Sequence, residues 1–176
     1  MPATRIISVV GKKDAGKTTL VVALAAEFVK RGRRVATIKH GTHPAQVDTP
    51  GTDTYRHFQE GMASQVLIEF PGGRVLFERT TEESDPLTLA RRYLGAEIVI
   101  VEGFKKFPLP KVEVHRVRQH RAPLFDPSSP DAALWVAMVT DDDQLRLSFP
   151  VFHFHDTAWL VTLANLAWDR AQQLDS

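Results

Sequence analysis

Gly11-Lys12-Lys13-Asp14-Ala15-Gly16-Lys17-Thr18 stands between two segments of opposite character. Before it, Arg5-Ile6-Ile7-Ser8-Val9-Val10 is an apolar run that reads as a buried strand. After it, Thr19 to Arg31 places Leu20, Leu24, Ala25, Phe28 and Val29 at helical spacing, with Gly32 ending the helix. The eight residues satisfy G-x-x-x-x-G-K-[ST] without a gap. The strand–loop–helix setting is what gives that pattern physical meaning. Gly11 and Gly16 have no Cβ, so the backbone can close around an anion. The N–H groups from Lys12 through Ala15, and the start of the following helix, then face a β-phosphate. Lys17 supplies a mobile charge to the β- and γ-phosphates, and the Thr18 hydroxyl is suited to ligate Mg²⁺. Thr19 closes the nucleotide-binding segment and, with Leu20, begins the packed face of the helix. Asp14 is unusual beside phosphate, and its carboxylate is assigned to the loop amides on the outer side. The competing reading is a Gly-rich turn that caps a helix.

The bulk properties narrow the class. The chain has 176 residues, enough to bury a core without disulfides or metal staples. It reads as one domain, residues 1–176. A net charge of +1 gives no case for nucleic acid or a membrane surface as partner. There is no cysteine, which excludes disulfides and Cys-based zinc sites and is compatible with a cytoplasmic protein. The first residues run directly into a strand pattern without a signal-like segment, and no apolar run is long enough to span a bilayer.

Strand and helix patterns alternate along the chain, which predicts a mostly parallel sheet with helices on both faces, the P-loop NTPase type of α/β fold. After the first strand and helix, Arg34 to Lys39 reads as a strand and His40 to Thr52 as a polar loop. Asp53 caps a short helix that runs through Gly61. Gln65 to Phe70 and Arg74 to Arg79 flank Pro71-Gly72-Gly73 as a β-hairpin. Pro86 to Tyr93 reads as a short helix and Glu97 to Val101 as a buried strand. Val112, Val114 and Val117 mark a strand that begins after Pro110. Arg118 to Pro130 reads as a loop, Leu134 to Val139 as a strand, and Asp156 to Leu174 as one long helix.

Three further groupings carry chemistry. Ile98-Val99-Ile100-Val101 ends in Glu102-Gly103, and an acid at the carboxyl end of a strand beside a phosphate loop holds Mg²⁺ directly or through water. The alternative for Glu102 is a solvated strand end. The loop after the second strand gathers Lys39, His40, His43, Asp48, Asp53, Tyr55, Arg56 and His57. Its carboxylates, Asp48 and Asp53, suit a metal or a positioned water, and its histidines suit a metal or a phosphate. Plain surface polarity is the preferred reading for any single histidine, and it stands level with function for the cluster as a whole. Val136 to Val139 ends in Thr140-Asp141, and a carboxylate there can accept from N1 and the exocyclic amine of guanine. The basic strip of Lys105, Lys106, Lys111, Arg116, Arg118 and Arg121 reads either as a docking strip for an acidic or phosphorylated partner or, preferably, as the solvated face of an edge strand.

Taken together, these residues resemble the molybdopterin-guanine dinucleotide biosynthesis protein B family. The resemblance is carried by Gly11 to Thr19, by Ile38-Lys39-His40 with His43, by Asp48-Thr49-Pro50-Gly51-Thr52-Asp53-Thr54-Tyr55-Arg56-His57, and by Val99-Ile100-Val101-Glu102-Gly103-Phe104-Lys105. Val139-Thr140-Asp141-Asp142 is also similar. The resemblance implies a cytoplasmic, homodimeric GTP-binding protein that hydrolyses GTP slowly. It implies an accessory role beside the guanylyltransferase that joins GMP to molybdopterin. Carried over by position, Gly11, Lys17 and Thr18 bind phosphate and Mg²⁺, Glu102 is the metal-side acid, and His40 and Asp53 belong to the family's polar loop. Ala15 departs from the Ser common at that position. Lys12 occupies the place where one branch of dimeric P-loop ATPases has a lysine that reaches across the dimer, but Lys13 and Asp14 replace that branch's glycines.

Two other functions use the same residues. A small-molecule kinase would hand the γ-phosphoryl to an acceptor under a lid bearing Arg116, Arg118 and Arg121. A metal-insertion GTPase would use His40, His43 and His57. The hairpin at 65–79 is apolar on both arms, through Val66, Leu67, Ile68, Val75, Leu76 and Phe77, which predicts that a second subunit or the chain's own helices cover it.

Overall fold

Strand β1 (Thr4–Val10) is buried at almost every position, as a strand covered on both faces must be, and it forms the middle of the main sheet. A computed structural model describes residues 3–41, 48–92 and 95–174. The helix after the phosphate loop is α1 (Lys17–Lys30), and β2 (Val35–Lys39) follows it. The other strands of the main sheet are β5 (Ile98–Glu102), β6 (Lys111–His115), β7 (Trp135–Thr140) and β8 (Val151–His153). Their order is β2-β5-β1-β6-β7-β8, with every neighbouring pair parallel. This is the α/β architecture predicted from the alternation of patterns.

The strands alternate their side chains between two cores. Ile7, Val9, Ile98 and Ile100 pack with Leu20, Leu24 and Phe28 of α1 and with Leu163, Ala164 and Ala167 of α4 (Trp159–Arg170). Ile6, Ile38, Val99 and Val101 point the other way, towards Ala90 of α3 (Pro86–Arg91). Each fully buried Phe or Leu of this kind contributes roughly 1.5–3 kcal/mol relative to exposure, so the two-sided core fixes which strand ends lie beside the phosphate loop. Helix α3 begins at Pro86, with the Asp85 carboxylate accepting from the N–H groups of Leu87 and Thr88, and it ends at Arg91 rather than Tyr93.

Three expectations are corrected in this part of the chain. The basic strip does not lie on an edge strand: β6 sits between β1 and β7 and is buried along its whole length. Lys111 is wholly enclosed, with its Nζ 3.3 Å from Asp131 Oδ2 and over the Trp135 ring at 4.9 Å. Val117 lies beyond the strand, which ends at His115. The C-terminal segment is not one helix. Asp156 Oδ2 accepts from His153 N, Ala158 adopts a left-handed φ of 59°, and α4 runs only from Trp159 to Arg170. Ala171 then turns to φ −58°, ψ 139°, and β9 (Gln172–Leu174) pairs antiparallel with Thr4–Ile6. The physical reason lies in β1. Strand β6 pairs only with its Ser8–Val10 half, so the Thr4–Ile6 edge would otherwise keep unpaired backbone groups. Strand β8 was not foreseen at all; it is three residues long and only half-buried.

The chain divides into two compact units, Met1–His40 with Asp85–Ser176, and Gly41–Ser84. The smaller unit contains α2 (Asp53–Gln59) and the hairpin of β3 (Gln65–Phe70) and β4 (Gly73–Glu78). Helix α2 is capped by Thr52, whose hydroxyl accepts from Tyr55 N at 3.3 Å. The hairpin turn is the two residues Pro71-Gly72, with Gly72 at φ 95°. Within this unit Phe58 packs on Phe77 and lies under the Arg79 guanidinium. Val66 is buried, whereas Leu67, Ile68, Val75 and Leu76 are exposed.

Candidate nucleotide-binding site

The loop between β1 and α1 is shaped by close approach. A Cβ on Gly11 would lie 2.4 Å from Val114 O of β6, so only glycine lets the loop pass this close to the neighbouring strand. Gly16 is the N-cap of α1 with φ 102°, and Asp14 also has positive φ, 60°. Ala15 is buried beneath the loop, while Lys13 and Asp14 are exposed. Among the described residues no hydrogen bond joins the Asp14 carboxylate to the loop amides, which corrects the role assigned to it from the sequence. Lys17 opens the helix, and its Nζ donates to Lys12 O at 2.9 Å. Thr19, next to Thr18 in the first turn, faces solvent.

A second strand completes the phosphate end. Glu102, the last residue of β5, is 7% exposed, and the Thr18 hydroxyl donates to its carboxylate oxygens at 2.9 and 3.0 Å. Lys39 Nζ, at the end of β2, lies 3.2 Å from Glu102 Oε1 and 3.5 Å from Thr18 Oγ1. Three strand or helix ends thus bring a hydroxyl, a carboxylate and an ammonium group to one point. Hard oxygen donors of this kind suit Mg²⁺, which typically binds through one or two protein oxygens together with nucleotide phosphates. The Lys39 ammonium already shows that a cation is favourable beside Glu102. His40 follows, its N–H bonded to Glu102 O at 3.0 Å and its ring against Phe104 with centroids 4.5 Å apart. Gly103 allows this packing: with φ 101°, a Cβ there would meet His40 Cβ at 3.2 Å. Ser8 Oγ donates to Gly103 O at 2.8 Å and ties the turn to β1. Lys105 and Lys106 are exposed beyond it.

The strap after β6 holds the other side of the loop. His115 is buried, with Nδ1 3.0 Å from Thr140 Oγ1 and Nε2 2.9 Å from His120 O. His120 Nε2 in turn lies 2.8 Å from Lys13 O, and Lys12 Nζ donates to Ala122 O at 2.7 Å. Lys12 therefore makes a bond within its own chain. Glu113 anchors the strap from below by accepting from the N–H groups of Leu124 and Phe125 and from Trp135 Nε1. Burial pushes the Glu113 carboxyl above the usual range, against the pull of those three donors. Residues 116–119 of the strap, Asp14 to Gly16 of the loop and Asp141 to Asp143 after β7 line an open cavity of about 740 Å³. Asp141 Oδ1 accepts from Val117 N at 2.8 Å, which fixes the carboxylate on the cavity wall. The strap's part in the site was not legible in the sequence, where Arg116 and Arg118 read as a basic strip or a lid.

Asp48 and Asp53 belong to the smaller unit. Asp48 Oδ1 accepts from Thr49 N at 2.8 Å and from the Thr52 hydroxyl at 3.0 Å, so it organises the start of α2. Asp53 is the first residue of that helix, and His57 lies near its end. His43 lies outside the described residues. Among the described residues no group of three or more His, Asp or Glu side chains is placed to hold a metal ion. No helix of the described residues is long and apolar enough to cross a membrane.

The family model "Molybdopterin guanine dinucleotide synthesis protein B" matches residues 6–141. The molybdopterin-guanine dinucleotide biosynthesis adapter protein of Haemophilus influenzae is 34% identical over 113 residues, 63% of each chain. The Escherichia coli adapter protein is 34% identical over 104 residues, 57% of this chain and 59% of its own. The chain thus spans about three-fifths of the length of these relatives. Among solved structures, the MobB protein homolog from Bacillus stearothermophilus superposes with a TM-score of 0.65 at 26% identity, covering 94% of this chain and 99% of that one. Bacillus subtilis MobB gives a TM-score of 0.67 at 23% identity over 96% of this chain and 98% of that one, a likeness of fold.

Proposed function

This chain belongs to the molybdopterin guanine dinucleotide synthesis protein B family, and from that premise we propose that it binds GTP with Mg²⁺ and assists the attachment of GMP to molybdopterin. The observation that carries this reading is the junction of Thr18, Glu102 and Lys39 at the mouth of the phosphate loop. The loop amides and the start of α1 take the phosphates, and Lys17 swings from Lys12 O to neutralise the β- and γ-oxygens. Thr18 and Glu102 would hold Mg²⁺, which supplies charge neutralisation between the phosphates when bound. Lys39, at the same carboxylate, would then be free to turn to the γ-phosphate. The cavity beside Asp141 takes the base.

Glu102 is tied to Thr18 and Lys39, and so serves as an anionic ligand for the metal rather than as a base that activates water. Hydrolysis is accordingly slow, and the group transfer belongs to a partner guanylyltransferase. The exposed Leu67, Ile68, Val75 and Leu76 suit coverage by a second copy of the chain. The reading is tested by following molybdopterin guanine dinucleotide formation by the guanylyltransferase at limiting GTP. Wild-type protein raises the yield and Lys17→Ala does not. Equal yields with and without the wild-type protein would refute an assisting role.

A further inference from the structure

We propose that Arg116 selects the base: it reads the O6/N7 edge of guanine while Asp141 takes N1–H and the exocyclic amine. The inference rests on the GTP reading above and names the residue that enforces it.

Arg116 leaves the end of β6 and lines the cavity beside the phosphate loop. Its guanidinium lies 3.5 Å from the centroid of the Phe154 ring, and this contact limits the orientations open to the group. Nη1 stands 3.9 Å from Asp141 Oδ2, an ion pair too long to be a hydrogen bond. Among the described residues none of the Arg116 side-chain N–H groups has a hydrogen-bond acceptor. A fork of donors is therefore held at the wall of the cavity with no hydrogen-bond acceptor among the described residues. Beside it, Val117 N–H fixes one oxygen of Asp141 and leaves the other towards the Arg116 side.

Such a wall fits a ligand edge on which acceptors adjoin donors. Guanine has that edge: O6 and N7 accept, and N1–H and the amine, next to O6, donate. Arginine bonded to O6 and N7 is the commonest guanine-specific contact. Adenine carries an amino group where guanine has O6, so an arginine at that edge meets donor against donor. The carboxylate alone distinguishes the purines less sharply, because it can also accept from the adenine amine.

The test is calorimetric titration of wild type, Arg116→Ala, Arg116→Lys and Asp141→Ala with the Mg²⁺ complexes of GTP, inosine triphosphate and ATP. Inosine triphosphate keeps O6, N7 and N1–H and lacks only the exocyclic amine. Arg116→Ala is expected to weaken GTP and inosine triphosphate alike, by about tenfold to a hundredfold, and to leave ATP unchanged. Arg116→Lys keeps the charge but loses the fork, and is expected to lose most of the same selectivity. Asp141→Ala is expected to abolish the preference for GTP over inosine triphosphate. A GTP preference over ATP that survives both Arg116 substitutions overturns the inference alone. Equal weakening of all three nucleotides also overturns it, because the charge would then act on the phosphates. Wild-type protein without preference for GTP over ATP overturns the GTP reading and this inference with it.

Discussion

Gly11→Ala separates the two demands that the phosphate loop makes on its glycines. The new methyl carbon would sit 2.4 Å from Val114 O, about 1 Å inside ordinary contact, and the obstacle is backbone of an interior strand. Neither side can yield cheaply. Val114 is paired in register with Val139 of β7, and β1 is fixed by β5 and β6. Overpacking of this kind costs about 1–3 kcal/mol, and the left-handed φ of 153° adds strain of the order of 1–3 kcal/mol, for a total of about 2–6 kcal/mol. Gly16→Ala is the control. Its φ of 102° carries strain, but its nearest obstacle is a side-chain methyl, Val114 Cγ1, at 3.8 Å. That variant loses only the strain, about 1–3 kcal/mol. Urea unfolding at constant protein concentration reads both values. Equal stabilities for the two variants, or a Gly11→Ala chain as stable as wild type, would refute the claim that the approach of the loop to β6 demands glycine.

Other outcomes follow from single contacts. Glu102→Gln keeps an acceptor for the Thr18 hydroxyl but loses the charge facing Lys39 at 3.2 Å, so stability changes by less than about 1 kcal/mol while the Mg²⁺-dependent part of GTP affinity falls about tenfold or more; titration with and without Mg²⁺ reads the difference. Glu113→Gln puts an amide N–H₂ against buried donors and costs about 1–3 kcal/mol at neutral pH, read as a fall in the urea midpoint. Its pH signature has a definite sign. A carboxyl raised in the folded state favours folding below its unfolded value and loses that contribution as pH climbs through the raised value, so the glutamine variant removes a decline in stability above pH ~4.3. Glu97 behaves oppositely. The Arg34 N–H and the Arg33 guanidinium hold its carboxyl below the usual range, so its contribution is present above the unfolded value and is lost as pH falls through the lowered one. Thermal melts between neutral pH and pH ~3 should show a smaller acid-side loss in Glu97→Gln than in wild type.

Much of the fold was legible because the pattern was local. The β1–loop–α1 unit announces itself in consecutive residues, and Pro71-Gly72 between two apolar runs places the hairpin. Glu102 was legible as the end of an apolar strand. Strand β6 was misread as an edge because Lys111 belongs to a basic run that looks like a solvated face, whereas the polar residues of the strand, Lys111, Glu113 and His115, are all buried. Each has a partner distant in sequence: Asp131 for Lys111, the Leu124–Phe125 amides and Trp135 for Glu113, and Thr140 for His115. No period in a sequence reports such compensation. Strand β9 is a Gln-Gln-Leu segment with no β signal of its own; it becomes a strand because β1 offers it an unpaired edge. Asp48 and Asp53 read as candidate ligands in the sequence, and the contacts the structure gives them lie at the start of α2. The cavity wall at Arg116 depended on a strap tied to the loop through His120 and Lys12, contacts that span more than a hundred residues.

The central claim, a GTP site built on the Gly11–Thr18 loop, is met most directly by calorimetric titration with Mg²⁺-GTP and Mg²⁺-ATP on wild type and Lys17→Ala. The account predicts tighter binding of GTP than of ATP in wild type, and loss of GTP binding when Lys17 is removed. Preference for ATP, or GTP affinity unchanged in Lys17→Ala, would contradict it.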